Sequence, residues 1–108
     1  MNPVFAYIDF RAFLRDLYAY KKATSRHFSY RYFAQKSGIN SPSFLKDVIE
    51  GKRNLSPAAT EKFCSAIGFT EKESRYFRHL VLFNQAPSAA IKQEHYAVLR
   101  TMQDRKST

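Results

Sequence analysis

Glycine and proline occur at positions that divide this sequence into short helices. The chain has only three glycines, and each one follows a segment whose apolar residues recur at helical spacing. Glycine at such a position can adopt the positive φ that ends a helix. The pairs Ser41-Pro42 and Ser56-Pro57 are typical of helix starts, with serine as the cap and proline in the first turn. No run alternates apolar and polar residues long enough to indicate a strand, so the sequence predicts helices with defined ends.

Apolar periodicity and capping residues predict six helices. N-terminal caps are expected at Asp9, Ser29, Ser41, Ser56 and Thr70, the last in a Thr-x-x-Glu capping box. The predicted helices cover about 10–22, 30–37, 42–50, 57–67, 70–85 and 88–104. The predicted fold class is therefore all-α, a compact bundle of five to six short helices.

Composition limits the classes of protein that this chain can represent. Its 108 residues, 44% of them hydrophobic, suffice for one domain with its own core. Cys64 is the only cysteine, so no intramolecular disulfide can form, and we expect a cytoplasmic protein in which Cys64 is a small core residue. The N-terminus lacks the features of a signal peptide, and no apolar run approaches the roughly 20 residues of a membrane span.

Residue patterns typical of catalysis or metal binding are missing from the sequence. His27, His79 and His95 do not have metal-ligand spacing, and Cys64 has no second cysteine to pair with at a metal. The glycines are too far apart for a phosphate-binding loop. We therefore expect no enzyme activity, no cofactor, no metal and no small-molecule substrate.

Positive charge is concentrated in one third of the chain. Eighteen Lys and Arg against nine Asp and Glu give a formal net charge of +9. Residues 21–53 hold eight of the basic residues and only two acidic ones, Asp47 and Glu50, and so account for +6 of that excess. A polyanion is the natural partner for such a surface, and nucleic acid is the commonest polyanion.

The segment 29–51 has the pattern of a helix-turn-helix. The motif needs a small residue in its first helix, a turn residue that tolerates positive φ four positions later, and apolar residues along its second helix. Ala34 and Gly38 meet the first two requirements, and the apolar positions are Ile39, Leu45, Val48 and Ile49. The alternative is a generic helical hairpin within a bundle.

Two resemblances to known families support the motif. Residues 29–70 resemble the lambda-repressor-like (Xre/Cro-type) DNA-binding domain. The segments FSYRYFA at 28–34, SPSFL at 41–45, GKRNLS at 51–56 and LVLFNQA at 80–86 are similar to the N-terminal region of a poorly characterised family of bacterial transcriptional regulators. The second resemblance extends over about 7–96. It implies a DNA-binding helix-turn-helix domain, here 1–87, followed by a helix and polar tail over 88–108 that could be a linker or a dimerisation element.

One departure from the repressor-like pattern concerns the turn. Gly38 and Gly51 are 13 positions apart, one more than in the usual pattern, so an extra residue is expected near Asn40-Ser41. This shifts the register of the base-contacting residues by up to one position. Members of the second family are usually longer and carry a C-terminal region of unknown role, so this chain could be a fragment.

The predicted contacts with double-stranded DNA follow from this geometry. The helix at about 42–50 is expected to enter the major groove with its N-terminal residues towards the base edges. Candidates for base contact are Asn40, Ser41, Ser43, Phe44 and Lys46, with Asp47 as a weaker one. Phe44 could meet a thymine methyl or belong to the core. Candidates for phosphate contact are Ser29, Tyr30, Arg31, Lys52, Arg53 and Asn54, and Lys21, Lys22, Arg26 and Lys36 could widen the basic face.

Two other functions remain open from the sequence. The chain could be a helical protein–protein interaction or dimerisation module without DNA binding, because the apolar stripe at 76–83 could form a packing surface. A homodimer is compatible with DNA binding as well. Binding of RNA or single-stranded DNA through exposed aromatics is the weaker alternative, since most aromatics follow core spacing.

Overall fold

A computed structural model describes residues 1–106, with side chains up to Asp104; the end of the predicted polar tail, 107–108, lies outside the described residues. A single 3-10 turn at Val4–Ala6 precedes the helices. These are α1 (Phe10–Thr24), α2 (Tyr30–Ser37), α3 (Phe44–Ile49), α4 (Pro57–Ile67), α5 (Glu71–Asn84) and α6 (Ala89–Lys106). No strand occurs in this part of the chain, so the prediction of an all-α fold with five to six helices is confirmed.

The side-chain caps predicted for four of the helices are present. Asp9 accepts a hydrogen bond from the Arg11 amide, and Ser29 and Ser56 cap α2 and α4 in the same way. At the start of α5, Thr70 and Glu73 form the complete capping box. Each cap satisfies backbone N–H groups that the first turn of a helix leaves without a partner. These helix starts are therefore determined by residues close in sequence.

The predicted start of α3 at Pro42, under a Ser41 cap, is wrong. The Phe44 amide donates to the Ser41 carbonyl at 3.2 Å, which closes a turn over Pro42 and Ser43. The helix begins at Phe44, and the Ser43 side chain makes no capping hydrogen bond. Serine followed by proline is equally suited to the first two positions of a turn, so the same pair is compatible with both structures. The link between α2 and α3 thus covers residues 38–43, long enough for the extra residue expected there.

The core takes buried residues from all six helices, and aromatic rings occur throughout it. α2 packs on α3 and α4, α3 also contacts α1, and α6 packs along α5. The largest fully buried side chains are Tyr76, Phe10, Phe63, Phe77, Leu14, Leu80 and Leu99. Edge-to-face contacts such as Phe33–Phe63, with ring centroids 4.9 Å apart, join neighbouring helices. This arrangement leaves α2 and α3 together on one side of the molecule and α6 on α5.

None of the described helices is both long and apolar enough to cross a lipid bilayer.

Candidate nucleic-acid interface

Helix α3 lies at the surface, with one face packed on the core and the other in solvent. Leu45, Val48 and Ile49 are buried. Ser43, before the first turn, and Lys46, within the helix, are exposed. The buried side chains fix the rotation of the helix about its axis, because turning it would expose them. The same residues that anchor α3 therefore determine that Lys46 faces solvent.

The C-terminal end of α3 is closed by a Schellman motif. Gly51 has φ of +81°, and its amide donates to the Val48 carbonyl at 3.1 Å. The Lys52 amide donates to the Asp47 carbonyl at 2.9 Å, which completes the pattern. The predicted role of this glycine as the residue that ends the helix is confirmed. The motif sets the direction in which the chain leaves α3 and therefore where the cationic residues that follow can lie.

Arg11 of α1 binds the loop that follows α3, a role that the sequence did not indicate. Its guanidinium donates to the carbonyls of Val48 and Arg53, the latter at 2.9 Å, and to the Asn54 side-chain oxygen at 2.8 Å. The same group lies over the Phe10 ring at 4.7 Å. The planar guanidinium carries several N–H groups in a fixed arrangement, so one side chain can hold three acceptors at once. The contacts join residues about 40 apart, and no local pattern could have predicted them.

Arg53 lies against the first residue of α3. Its guanidinium is 4.9 Å from the centroid of the Phe44 ring. Phe44 also packs edge-to-face on Phe63 of α4, with centroids 5.8 Å apart, and is half-buried. The Phe44 ring lies between the core and Arg53, so of the two roles that the sequence left open for it, the structure shows the contact with the core. Arg53 itself is exposed beside the first residue of α3.

The remaining candidates for base contact differ in the solvent exposure of their side chains. Asn40 is exposed on the α2–α3 link. Ser41, in the turn at 41–44, and Asp47, on α3, are half-buried. Asn40, Ser43 and Lys46 are the candidates that the structure leaves accessible.

The start of α2 is tied to the rest of the domain. The Ser29 hydroxyl accepts from the Tyr32 amide at 3.0 Å and so is occupied as the helix cap. The Tyr30 ring stacks on Tyr18 of α1, with centroids 4.0 Å apart and planes 6° apart. Burial is the main cause that raises the pKa of Tyr30, with Tyr18 and Glu50 adding to it. Tyr30 is therefore a neutral side chain that fixes α2 to α1, and only its half-exposed edge faces solvent.

Exposed cations lie on α2, on α3 and in the loop after α3, and Asp47 and Glu50 are acidic residues of the same region. Lys36 lines a pocket with Leu17 and Ile67 that no residue of α3 lines. Arg31 and Lys36 of α2 are exposed, as are Lys46 and Arg53. Lys52 forms an exposed ion pair with Glu50 at 3.1 Å, and Asn54 is held by Arg11. Exposed ion pairs of this kind contribute little to stability, so a phosphate could compete with Glu50 for Lys52.

The described residues hold no group of three or more His, Cys, Asp or Glu side chains that could bind a metal ion. Cys64 is buried in the core as predicted, and burial raises the pKa of its thiol.

His79 on α5 and His95 on α6 are in direct contact. Nothing in the sequence indicated this pair.

Comparison with protein-family models, with curated protein sequences and with solved structures found no match. The resemblance to repressor-like regulators therefore stays a prediction, and any function has to be argued from the residues of this chain.

Proposed function

We propose that this chain is the DNA-binding domain of a transcriptional regulator and that it binds duplex DNA by placing α3 in the major groove. The observation that carries the proposal is a short surface helix whose inner face is fixed on the core, with Lys46 exposed on it and the Arg53 guanidinium against its first residue. In this reading α2, the link at 38–43 and α3 form the helix-turn-helix. Such a role implies a cytoplasmic location.

Base recognition would come from few residues. Lys46 can donate to guanine acceptors, Ser43 can donate or accept, and Asn40 can pair with adenine if the link brings it to a base edge. Arg53, held beside the first turn of α3 by its contact with Phe44, offers the guanidinium that α3 itself lacks. Because Arg53 is the only guanidinium among these candidates, we expect modest sequence discrimination and a large contribution from phosphate contacts.

Phosphate contacts would come from exposed cations before and after α3 in the chain. Arg31 provides one on α2, and Lys52 and Arg53 provide two after α3. The first-turn amides of α2 that Ser29 leaves free could also bind a phosphate oxygen, because the start of a helix attracts anions.

Selection from a random pool of duplex DNA tests the proposal and identifies the preferred site. Lys46→Ala and Arg53→Ala should each weaken binding to the selected duplex by about 1–3 kcal/mol. Arg100→Ala is the charge-matched control, because Arg100 is exposed on α6, which packs on α5 and the N-terminal turn. Enrichment of no duplex, or equal losses in all three variants, would contradict the proposal.

Removing the acidic residue beside the cations should strengthen binding. Glu50→Gln deletes a carboxylate near the proposed phosphate path and frees Lys52 from its 3.1 Å ion pair. We expect a gain of about 0.5–1 kcal/mol at low salt, since exposed charge interactions have this size. Fluorescence anisotropy with a labelled duplex measures it, and Glu94→Gln on α6 serves as the matched control. Weaker DNA binding by the Glu50→Gln protein would show that the surface around Glu50 and Lys52 does not face DNA.

A protein–protein interaction or dimerisation module is the second candidate. The apolar stripe at 76–83 does not form an exposed surface as a whole, because Tyr76, Phe77, Leu80 and Val81 are buried. Leu82, 44% exposed, favours this candidate, since it lies with Ile91 beside a groove between α4, α5 and α6. Light scattering of the wild type and of Leu82→Glu would reveal a homodimer that the charge disrupts, and a monomer at all concentrations would count against it.

A further inference from the structure

A pair of histidines joins α5 to α6. The Nδ1 atoms of His79 and His95 lie 3.0 Å apart, and both side chains are half-buried. The ring centroids are 5.2 Å apart, close to the nitrogen–nitrogen distance plus the two ring radii. The two nitrogens therefore point at each other rather than converging on a third point, which is the geometry of a shared proton and not of a chelated metal.

Only one proton fits between two nitrogens in this position. A neutral imidazole can donate from one Nδ1 while the other accepts, and the pair can also hold one extra positive charge in the same hydrogen bond. When both rings are protonated, both Nδ1 atoms are donors and both rings are cations. The contact is then repulsive, and the rings have to separate.

The charges around the pair oppose protonation. Burial is the main cause that lowers the pKa of His79, and His95, Arg75 and Arg78 lower it further. The nearest carboxylate on α4, Glu61, is already bonded to Arg78 at 2.6 Å. Glu71, at the start of α5, is also bonded to Arg78.

On α6 the charged neighbours also give little compensation. Lys92, one turn before His95, lies 5.0 Å from the centroid of the Phe83 ring, and Glu94 is exposed. Arg75, Arg78 and Lys92 are matched in number by Glu61, Glu71 and Glu94, so a second positive charge on the pair is opposed mainly by burial and by the charge of the first proton.

The two halves of α6 are held differently. In the second half Leu99 and Met102 are buried, and the Gln103 side chain donates to the Phe5 carbonyl and the Tyr76 hydroxyl, each at 3.1 Å. In the first half Ile91 is 37% exposed. Besides the histidine pair, two contacts with Phe83 hold this half to α5: the Tyr96 ring, with centroids 5.6 Å apart, and the Lys92 ammonium, 5.0 Å from the ring centroid.

We propose that the His79–His95 pair is a pH switch that keeps the first half of α6 on α5 near neutral pH and releases it when both rings are protonated. Release would widen the groove of about 280 Å³ between α4, α5 and α6, which His95 and Ile91 line on one side and Val81 and Leu82 on the other. The switch does not depend on the proposed DNA binding.

The sign of the pH dependence follows from proton uptake. The pH value at which the pair takes up its second proton is lower in the packed form than in the released form, because release removes the burial that lowers the pKa of His79. Between those two values the released form binds more protons, so the packed form loses stability as the pH falls.

Hydrogen exchange of the full chain at pH 7.5 and pH 5.0, corrected for the intrinsic pH dependence of exchange, tests the switch. In the wild type, protection of amides in 89–98 should fall by about tenfold or more at pH 5.0, which corresponds to one pKa unit. Helices α2 and α4 should change less. In His95→Gln this selective fall should disappear, whereas exposed His27→Gln should behave as the wild type does. An equal fall in wild type and His95→Gln, or in all helices, would overturn the proposal.

NMR titration of the wild type tests the same point without a substitution. His79 and His95 should titrate in two coupled steps, because the two rings share one hydrogen bond. Independent single-step titrations of the two rings would overturn the proposal.

Discussion

Phe63→Ala is expected to lower the free energy of unfolding by about 3–5 kcal/mol, the usual cost of removing a buried aromatic ring. Phe63 is completely buried and packs edge-to-face on Phe33 of α2 and Phe44 of α3. Its loss leaves a cavity under both helices of the proposed DNA-binding motif. Since small domains are stable by only about 5–15 kcal/mol, a large part of the stability would be lost. Urea denaturation followed by circular dichroism measures the change.

Two further variants serve as controls for the loss of stability in Phe63→Ala. Phe63→Leu keeps most of the buried volume and should cost clearly less than Phe63→Ala. Tyr20→Ala removes an aromatic ring that is 47% exposed on α1 and should change stability by no more than about 0.5 kcal/mol. In hydrogen exchange, the Phe63→Ala protein should lose protection in α2 and α3 more than in α5. A loss below about 1 kcal/mol would show that α2 and α3 are not held through this ring.

Arg11→Ala is expected to cost about 1.5–3 kcal/mol of stability, the range for hydrogen bonds made by charged groups. The substitution leaves the Val48 and Arg53 carbonyls and the Asn54 side chain without their shared donor. The loop that positions Arg53 would then be free to move. At a temperature where the protein remains folded, DNA affinity should also fall by about 1 kcal/mol, or roughly fivefold.

Arg11→Lys separates the charge of Arg11 from its geometry. An ammonium cannot reach three acceptors as the guanidinium does, so lysine should recover little of the stability or the affinity. Arg15→Ala, on the exposed side of the same helix, is the control and should leave stability nearly unchanged. Full recovery by lysine would mean that Arg11 acts through its charge alone, and the positioning role would have to be abandoned.

Features determined by neighbouring residues were predictable from the sequence. Ser29, Ser56 and Thr70 cap the helices expected of them, because a cap and the amides it satisfies are within three residues of each other. Gly51 ends α3 for a similar local reason, its positive φ.

Features that depend on tertiary packing could not be predicted in this way. Ser41-Pro42 suits a turn as well as a cap, and the start of α3 is set further along the chain by Phe44, whose ring packs on Phe63. Arg11 contacts the 53–54 loop, and His79 contacts His95. Both contacts join segments that come together only in the folded protein. The sequence indicated that the candidate site is basic. It did not indicate that Lys52 pairs with Glu50 or that the Asn54 side chain accepts a hydrogen bond from Arg11.

The salt dependence of duplex binding is the most direct test of the proposed interface. With four exposed cations on α2, on α3 and in the loop after it (Arg31, Lys46, Lys52 and Arg53), the logarithm of the association constant should fall against the logarithm of salt concentration with a slope of about −3 to −4. Arg53→Ala should reduce the slope by about one, while Arg100→Ala should leave it unchanged. A flat salt dependence, or an equal change in both variants, would show that the cations around α3 do not bind the DNA backbone.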